Sequence, residues 1–189
     1  ANRSGFLLEF PDCEAGDMGS IMDGNDYYLV TMYTGLNASY GWLVTKFDAA
    51  NWRVLAKRNV FLNQTHESNS DPGVAFVNGQ LDIFDQYNPD GIWQLGGQSL
   101  HNFFSPDLQP LGRRILSDSP HISGASMILE NGTYYIISAD SYAGDLVVLR
   151  YDMDWNYLGM KKLIPQAHWS QGVAFDGKYF YVAYLDTSL

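Results

Sequence analysis

The sequence predicts an all-β protein, a β-propeller built from four-stranded blades. Two observations carry this prediction: short β-type runs recur in the same order along the chain, and the turns between the first two runs of each unit are regularly spaced. The turn glycines Gly24, Gly79, Gly132 and Gly177 lie 55, 53 and 45 residues apart. Four-stranded units that repeat every 40–50 residues or so are typical of propeller blades. A β-sandwich would also have many short strands, but not this self-similarity.

The clearest repeat unit covers residues 121–162. Four β-type runs (SMIL, TYYIISA, LVVLRYD and YLGMKKL) are separated there by Asn-Gly, by SYAGD and by MDWN. Asn-Gly and Asp-Gly supply the positive φ that tight hairpin turns need. The recurring order predicts one domain over residues 1–189, with blade-like units at about 17–65, 66–120, 121–167 and 168–189.

The last unit contains only two inner strands, at residues 172–175 and 179–184. Residues 5–10 (GFLLEF) form a spare β-type run, so we expect residues 1–12 to complete the last blade. This pairing would remove unpaired strand edges, which invite aggregation. A ring of about four blades follows, and the alternative is that the chain is part of a larger ring.

Composition and charge exclude several classes of function. The chain is 46% hydrophobic and 15% aromatic, which indicates a globular, strand-rich protein. Its formal net charge of −10 argues against nucleic acid as a partner and against a basic membrane patch. No apolar run is long enough to be inserted across a bilayer. A single cysteine, Cys13, excludes an internal disulfide. No cofactor is predicted, and no Ser, His and Asp set has a sequence context that predicts a catalytic triad.

Four Asn-X-Ser/Thr sequons begin at Asn2, Asn37, Asn63 and Asn131. None has Pro at the middle position, so each fits the pattern for N-glycosylation in a secreted or surface-exposed protein. A chain with Asn- and Ser-rich loops also forms sequons freely, and Asn131 lies in a predicted tight turn. The sequons predict an extracellular or cell-surface protein.

Three histidines precede or begin the innermost strand of a predicted unit: His66, His121 and His168. In a propeller these strand starts point into the central channel, where three imidazoles could hold a metal ion. The alternative, which predicts no metal, is that each imidazole bonds to backbone or water. The segment DMDWN at residues 152–156 lacks the Gly and the distal Glu of a calcium loop, so we interpret it as a turn.

Carboxylates occupy similar positions, Asp17 before the first inner strand and Asp71 before the second. The segments SDPGV at 70–74 and SMILENGTYY at 126–135 resemble five-bladed propeller glycoside hydrolases of the arabinanase and xylosidase type. The resemblance implies a general base at Asp17 and, at Asp71, a carboxylate that tunes proton affinities. The family's general acid is a Glu on the third blade, where this chain has Ser-Gly-Ala-Ser at 123–126. Because hydrolysis needs two carboxylates beside the bond, Glu67 could be the acid only if its loop folds inward.

Aromatic residues near strand ends predict a second kind of ligand contact. Trp93, Tyr142 and Trp169 could stack on sugar rings beside polar groups, although such residues also fill the space between blades. Three functions therefore remain open. The first is a module that binds a glycan or a protein through its rim loops or channel mouth. The others are a glycoside hydrolase and a structural subunit of a surface assembly or homo-oligomer.

Overall fold

The structure, a computed structural model, describes residues 18–34, 40–63, 65–68, 72–90, 98–117, 122–140, 144–165, 167–176 and 178–186. These residues contain strands and turns, and they contain no helix that could cross a membrane. The strands are β1 (Met18–Asp23), β2 (Asp26–Thr34), β3 (Tyr40–Asp48), β4 (Arg53–Phe61), β5 (Gly73–Val77), β6 (Gln80–Tyr87), β7 (Gln98–Phe104), β8 (Pro110–Leu116), β9 (Ile122–Glu130), β10 (Thr133–Asp140), β11 (Asp145–Asp152), β12 (Tyr157–Ile164), β13 (Ala167–Phe175) and β14 (Phe180–Asp186).

The strands form three four-stranded antiparallel sheets, β1–β4, β5–β8 and β9–β12, and a two-stranded sheet, β13–β14. Within each sheet the strands pair in sequence order. The turns β5–β6 and β9–β10 are the expected Asn-Gly turns, with φ of 51° and 72° at Asn78 and Gly79, and 49° and 73° at Asn131 and Gly132. The predicted all-β fold of four-stranded units is confirmed. The predicted contribution of residues 1–12 to the last blade lies outside the described residues.

The first strand of each sheet is innermost, because β1 contacts β5, β5 contacts β9 and β9 contacts β13. β1, β5 and β9 run in the same direction, as two further observations show. Gly19, near the start of β1, faces Pro72 and Val74 at the start of β5, and the second halves of β1, β5 and β9 line one cavity. The central channel therefore has an entry end, at the starts of the inner strands, and an exit end, at the hairpin turns that follow them.

Apolar clusters between the sheets form the core. The first and second sheets enclose one cluster, with Tyr28, Trp42, Leu81 and Ile83 fully or almost fully buried. The second and third sheets enclose another, which includes Phe84, Ile136, Leu149 and Tyr151. Each large apolar side chain buried in this way contributes about 1.5–3 kcal/mol. The outermost strands β4, β8 and β12 are largely exposed.

The turn between the third and fourth strands contains a bulky residue with positive φ in each four-stranded sheet: Trp52 (60°), Leu108 (61°) and Trp155 (67°). This backbone conformation costs a non-glycine residue about 1–2 kcal/mol. Packing offsets the cost at two of the turns. Leu108 is 2% exposed within the cluster between the first and second sheets. The Trp155 ring stacks on Tyr134 at a centroid distance of 4.3 Å.

An arginine from the preceding sheet holds each of these two turns. Arg58 Nη1 on β4 donates to the Leu108 carbonyl at 3.0 Å, and Arg114 Nη1 on β8 donates to the Asp154 carbonyl at 3.1 Å. Each arginine lies six positions after the positive-φ residue of its own sheet. We call this repeated contact the turn–arginine clamp. It joins each sheet to the next at the outer rim.

The turn after β11 depends on Asp152. Its Oδ1 accepts hydrogen bonds from the backbone N–H of Asp154 at 2.9 Å and of Asn156 at 2.8 Å. Its Oδ2 accepts a third hydrogen bond from Asn156 Nδ2 at 2.8 Å. The interpretation of residues 152–156 as a turn is confirmed.

We expect Asp152→Ala to lower the melting temperature at neutral pH and to lose this effect in acid. The Asn156 side chain, followed by the backbone N–H groups, lowers the pKa of Asp152 below its ordinary value. A lowered folded-state pKa stabilises the fold above the ordinary value of about 3.9, and this stabilisation is lost as the pH falls through the folded pKa. Melting temperatures of wild type and variant between pH 2 and pH 7 test this. Asp154→Ala, which removes a neighbouring exposed carboxylate, is the control and should show little change.

Candidate functional site

Most of the residues predicted to form the site precede or begin inner strands at the entry end of the channel, while Trp93 and Tyr142 come between the second and third strands of their sheets in the sequence. The inner strands begin at Met18, Gly73, Ile122 and Ala167. Outside the described residues lie Asp17, Asp71, Trp93, His121 and Tyr142, together with the side chains of His168 and Trp169 on β13. Their roles remain predictions.

The backbone at the entry end is tightly packed and locally irregular. A Cβ atom on Gly19 would lie 2.5 Å from the Pro72 carbonyl oxygen and 2.5 Å from Val74 Cγ2, so only glycine allows β1 and β5 to approach this closely. The register of β9 shifts between Ser123 and Ser126, and that of β13 shifts twice between residues 168 and 172. Bulges re-aim side chains and are frequent beside binding sites. The entry end therefore has the backbone features of a site.

The exit end holds a cavity of about 680 Å³ lined by the second halves of β1, β5 and β9. Its walls are mostly apolar, for example Met22, Phe76 and Met127, with Ser20, Asn78 and Ser126 as polar groups. No carboxylate or imidazole is among its described lining residues, and the Tyr27 phenol is the titratable group among them. Within the described part of the chain, no group of three His, Cys, Asp or Glu residues could hold a metal ion.

His66 and Glu67 lie between β4 and β5, against the second sheet. His66 Nδ1 is 2.9 Å from the Asn88 carbonyl oxygen. Glu67 Oε1 forms an ion pair with Arg113 Nη2 on β8 at 2.7 Å, and its Oε2 accepts the Asn63 backbone N–H at 2.8 Å. The carboxylate of Glu67 therefore faces the outermost strand and not the inner strands. The ligand-binding roles of His66 and Glu67 remain predictions.

A buried chain of Ser, His and Asp lies between the second and third sheets. His101 Nδ1 is 2.6 Å from Asp82 Oδ2, and His101 Nε2 is 3.2 Å from Ser99 Oγ. The same order of groups forms hydrolytic triads. All three residues are 0% exposed, however, so no substrate can reach the Ser99 hydroxyl. This network is structural, and we call it the buried triad.

The surroundings of the buried triad are aromatic. The His101 ring stacks on Phe84 at a centroid distance of 4.6 Å, and Trp155 of the third sheet lies 5.2 Å away. Asp82 Oδ1 has no hydrogen-bond partner among the described residues. Burial raises the pKa of Asp82 above its ordinary value. The charge interaction with His101 and the hydrogen bond to its ring act in the opposite direction and lower this pKa.

The buried triad was not predicted from the sequence, because His101 lies inside β7 and not at the start of an inner strand. The available signal was the run QSLHNFF, in which Ser99 and His101 share one face of a strand. Asp82 joins them only through the pairing of β6 with β7.

The fold of this chain matches those of several solved structures. The chain aligns over 96% of its length with CoXyl43, a GH43 β-xylosidase/α-arabinofuranosidase from a compost microbial metagenome solved with xylotriose, at a TM-score of 0.64 and 16% identity. It aligns over 96% with 1,3Gal43A, an exo-β-1,3-galactanase from Clostridium thermocellum, at 0.67 and 16%. It aligns over 95% with the GH43_1 enzyme from Xanthomonas citri solved with xylose, at 0.63 and 12%. The chain shares their fold.

This finding confirms the resemblance to propeller glycoside hydrolases at the level of the fold. The chain spans 68%, 46% and 66% of the lengths of these three proteins. Its sequence matches no protein-family model and no curated protein. Identities of 12–16% are too low to transfer an activity, so function has to be argued from the residues.

Proposed function

We propose that the chain is a propeller of the glycoside-hydrolase type that holds a sugar at the entry end of its channel. The observation that supports this is the fold match over 95–96% of the chain to GH43 proteins, two of which were solved with xylotriose or xylose. The entry end adds the close packing at Gly19 and the irregular starts of β9 and β13.

Asp17 and Asp71 are the proposed carboxylates. They precede β1 and β5 in the sequence, the two strands that Gly19 allows into close contact. In this proposal Asp17 activates a water molecule, and Asp71 adjusts the proton affinity of its neighbours. Glycoside hydrolysis also needs a general acid. Residues 122–126 contain no carboxylate, so the acid has to come from another segment.

Sugar binding without catalysis is the second candidate function. Two observations favour it: the sequence Ile-Ser-Gly-Ala-Ser at the start of β9, which contains no carboxylate, and the ion pair that holds Glu67 against Arg113.

For either function we propose an extracellular location, supported by the four sequons. Asn63 and Asn131 are described, and both are exposed. Removal of N-glycans followed by intact-mass measurement tests the location proposal.

A panel of aryl xylosides, arabinofuranosides and galactosides distinguishes the two functions. If the chain is a hydrolase, wild type turns over at least one of them, and Asp71→Asn loses about 10²-fold or more of that rate. Asp107→Asn is the matched control, because it removes an exposed carboxylate on the β7–β8 turn, at the exit end. Xylotriose binding by calorimetry is measured in parallel. Binding without turnover supports the second function, and neither binding nor turnover rejects both.

A further inference from the structure

The basic residues of this acidic chain are concentrated on the outermost strands. Of 11 Lys and Arg residues, three lie on β4, two on β8 and two on β12, and these strands contain no Asp or Glu. All 21 acidic residues therefore lie elsewhere. Basic edge strands prevent sheets from pairing edge to edge, which accounts for a general positive charge. This protection of the edges does not account for the groove that lies between β4 and β8.

A groove of about 230 Å³ separates these two strands, and we call it the outer groove. Arg58, Asn59 and Phe61 line it from the first sheet, and Asn102 and Arg113 line it from the second. No acidic side chain is among its described lining residues. Its volume is below the range of about 300–1,000 Å³ for pockets that enclose drug-sized ligands, so it suits one ring rather than a chain of rings.

Both guanidinium groups are held in place and retain hydrogen-bond donors. Arg58 donates Nη1 to the Leu108 carbonyl, which leaves Nε and Nη2 without partners in the described part of the chain. Arg113 donates Nε to Asn102 Oδ1 at 2.8 Å and pairs Nη2 with Glu67 Oε1, which leaves Nη1. Asn102 is 3% exposed, so it fixes Arg113 from within the protein. Preorganised guanidinium groups suit planar carboxylates.

The groove is otherwise lined by Val60, Phe103, Phe104, Pro110 and Gly112, and two further lining residues, Asn59 and Phe61, suit a sugar. Phe61 is 66% exposed, and its ring offers an apolar face. The Asn59 amide can bond hydroxyl groups. An acidic peptide would need a longer groove than this one, because its backbone must also be accommodated.

We propose that the outer groove binds a uronic-acid unit of an acidic polysaccharide. The carboxylate lies between Arg58 and Arg113, and the ring packs against Phe61. This site lies at the outer rim, away from the channel, and it does not depend on the proposed function of the entry end.

Calorimetry with a trimer of galacturonic acid tests the proposal, with xylotriose as the uncharged comparison. Wild type should bind the acidic trimer. Arg58→Gln should weaken this binding by about tenfold or more, because it removes charge-assisted hydrogen bonds. Phe61→Ala should weaken it by about fivefold. Arg53→Gln is the matched control, since it removes the same charge from the same strand but does not line the groove.

Four results would overturn the proposal: no binding of the acidic trimer, equal loss in Arg53→Gln and Arg58→Gln, an affinity for xylotriose that is also lost in Arg58→Gln, or tighter binding of a polyglutamate peptide. Equal loss in the two variants would indicate diffuse electrostatic attraction, and tighter binding of polyglutamate would indicate an acidic protein as the partner.

Arg113→Lys, which preserves a cation for Glu67, checks the second arginine without leaving a buried carboxylate unpaired. Melting curves of every variant verify that the fold is intact. Xylotriose binding at the channel entry would persist in Arg58→Gln and Phe61→Ala, which separates this site from the proposed function.

Discussion

Gly41→Ala is expected to destabilise the fold by about 4–6 kcal/mol, of which about 3 kcal/mol is the upper end of the usual cost of overpacking and about 1–3 kcal/mol is the cost of the backbone conformation. A Cβ atom at this position would lie 1.9 Å from the Val60 carbonyl oxygen, 3.0 Å from the Val60 carbonyl carbon and 3.1 Å from Phe61 Cα. All three atoms belong to the backbone of β4, so no side-chain rotation can relieve the clash. The substitution would push β3 and β4 apart where Gly41 pairs with Phe61. Urea denaturation of wild type and variant measures the loss.

Gly112→Ala is a close control for this substitution. Gly112 has a φ of 155°, almost the same as the 159° of Gly41, but its Cβ atom would meet no heavy atom within 4 Å. Both variants therefore carry the cost of an unfavourable backbone conformation, about 1–3 kcal/mol, and only Gly41→Ala adds the clash. Equal losses in the two variants would show that backbone conformation, and not the close approach of β4, explains the effect.

His101→Leu should cost about 3–5 kcal/mol, because it leaves the Asp82 carboxylate buried without its partner. Asp82→Asn should cost less, since an amide can still bond to the imidazole. The double variant should cost less than the sum of the two single changes, as expected for residues in direct contact. His66→Leu is the control: this histidine is half-buried, and the hydrogen bond of its side chain is to the Asn88 carbonyl, with no charged partner among the described residues. Additive losses at residues 82 and 101 would contradict a coupled pair.

The stability difference between wild type and Asp82→Asn should depend on pH. The pKa of Asp82 is raised in the folded state by burial. A raised folded-state pKa contributes stability that is fully present below the ordinary value of about 3.9 and is lost as the pH rises through the folded pKa. Asp82→Asn should therefore cost most below about pH 4 and progressively less toward neutral pH. A cost that grows from acid to neutral pH would reverse this sign and contradict the raised pKa.

Much of the fold can be predicted from the sequence because it depends on local turn chemistry. The Asn-Gly pairs at 78–79 and 131–132 determine the hairpins directly, since few other residues adopt positive φ at both positions. Boundaries are less predictable. β13 begins at Ala167, five residues before the predicted start, because pairing with β14 continues through two register shifts that no single residue indicates.

The candidate sites depend on contacts between distant segments, which the sequence does not reveal. The buried triad requires the register between β6 and β7. The outer groove requires the outermost strands of two neighbouring sheets, β4 and β8, to face each other, although Arg58 and Arg113 are far apart in the sequence. A run such as QSLHNFF shows where polar residues lie on a strand, but not which neighbour each one meets across a sheet boundary.

The turn–arginine clamp implies that the junctions between sheets differ in strength. The position six residues after the positive-φ residue is Arg58 in the first sheet and Arg114 in the second, but Lys161 in the third. A guanidinium is a rigid planar fork that keeps its geometry when one N–H is engaged, whereas an ammonium is a rotating, strongly hydrated point charge. Any contact that Lys161 makes with the sheet after it is therefore looser and more sensitive to salt. Thermal separation of the sheets should therefore begin between the third and fourth sheets and leave the first three together.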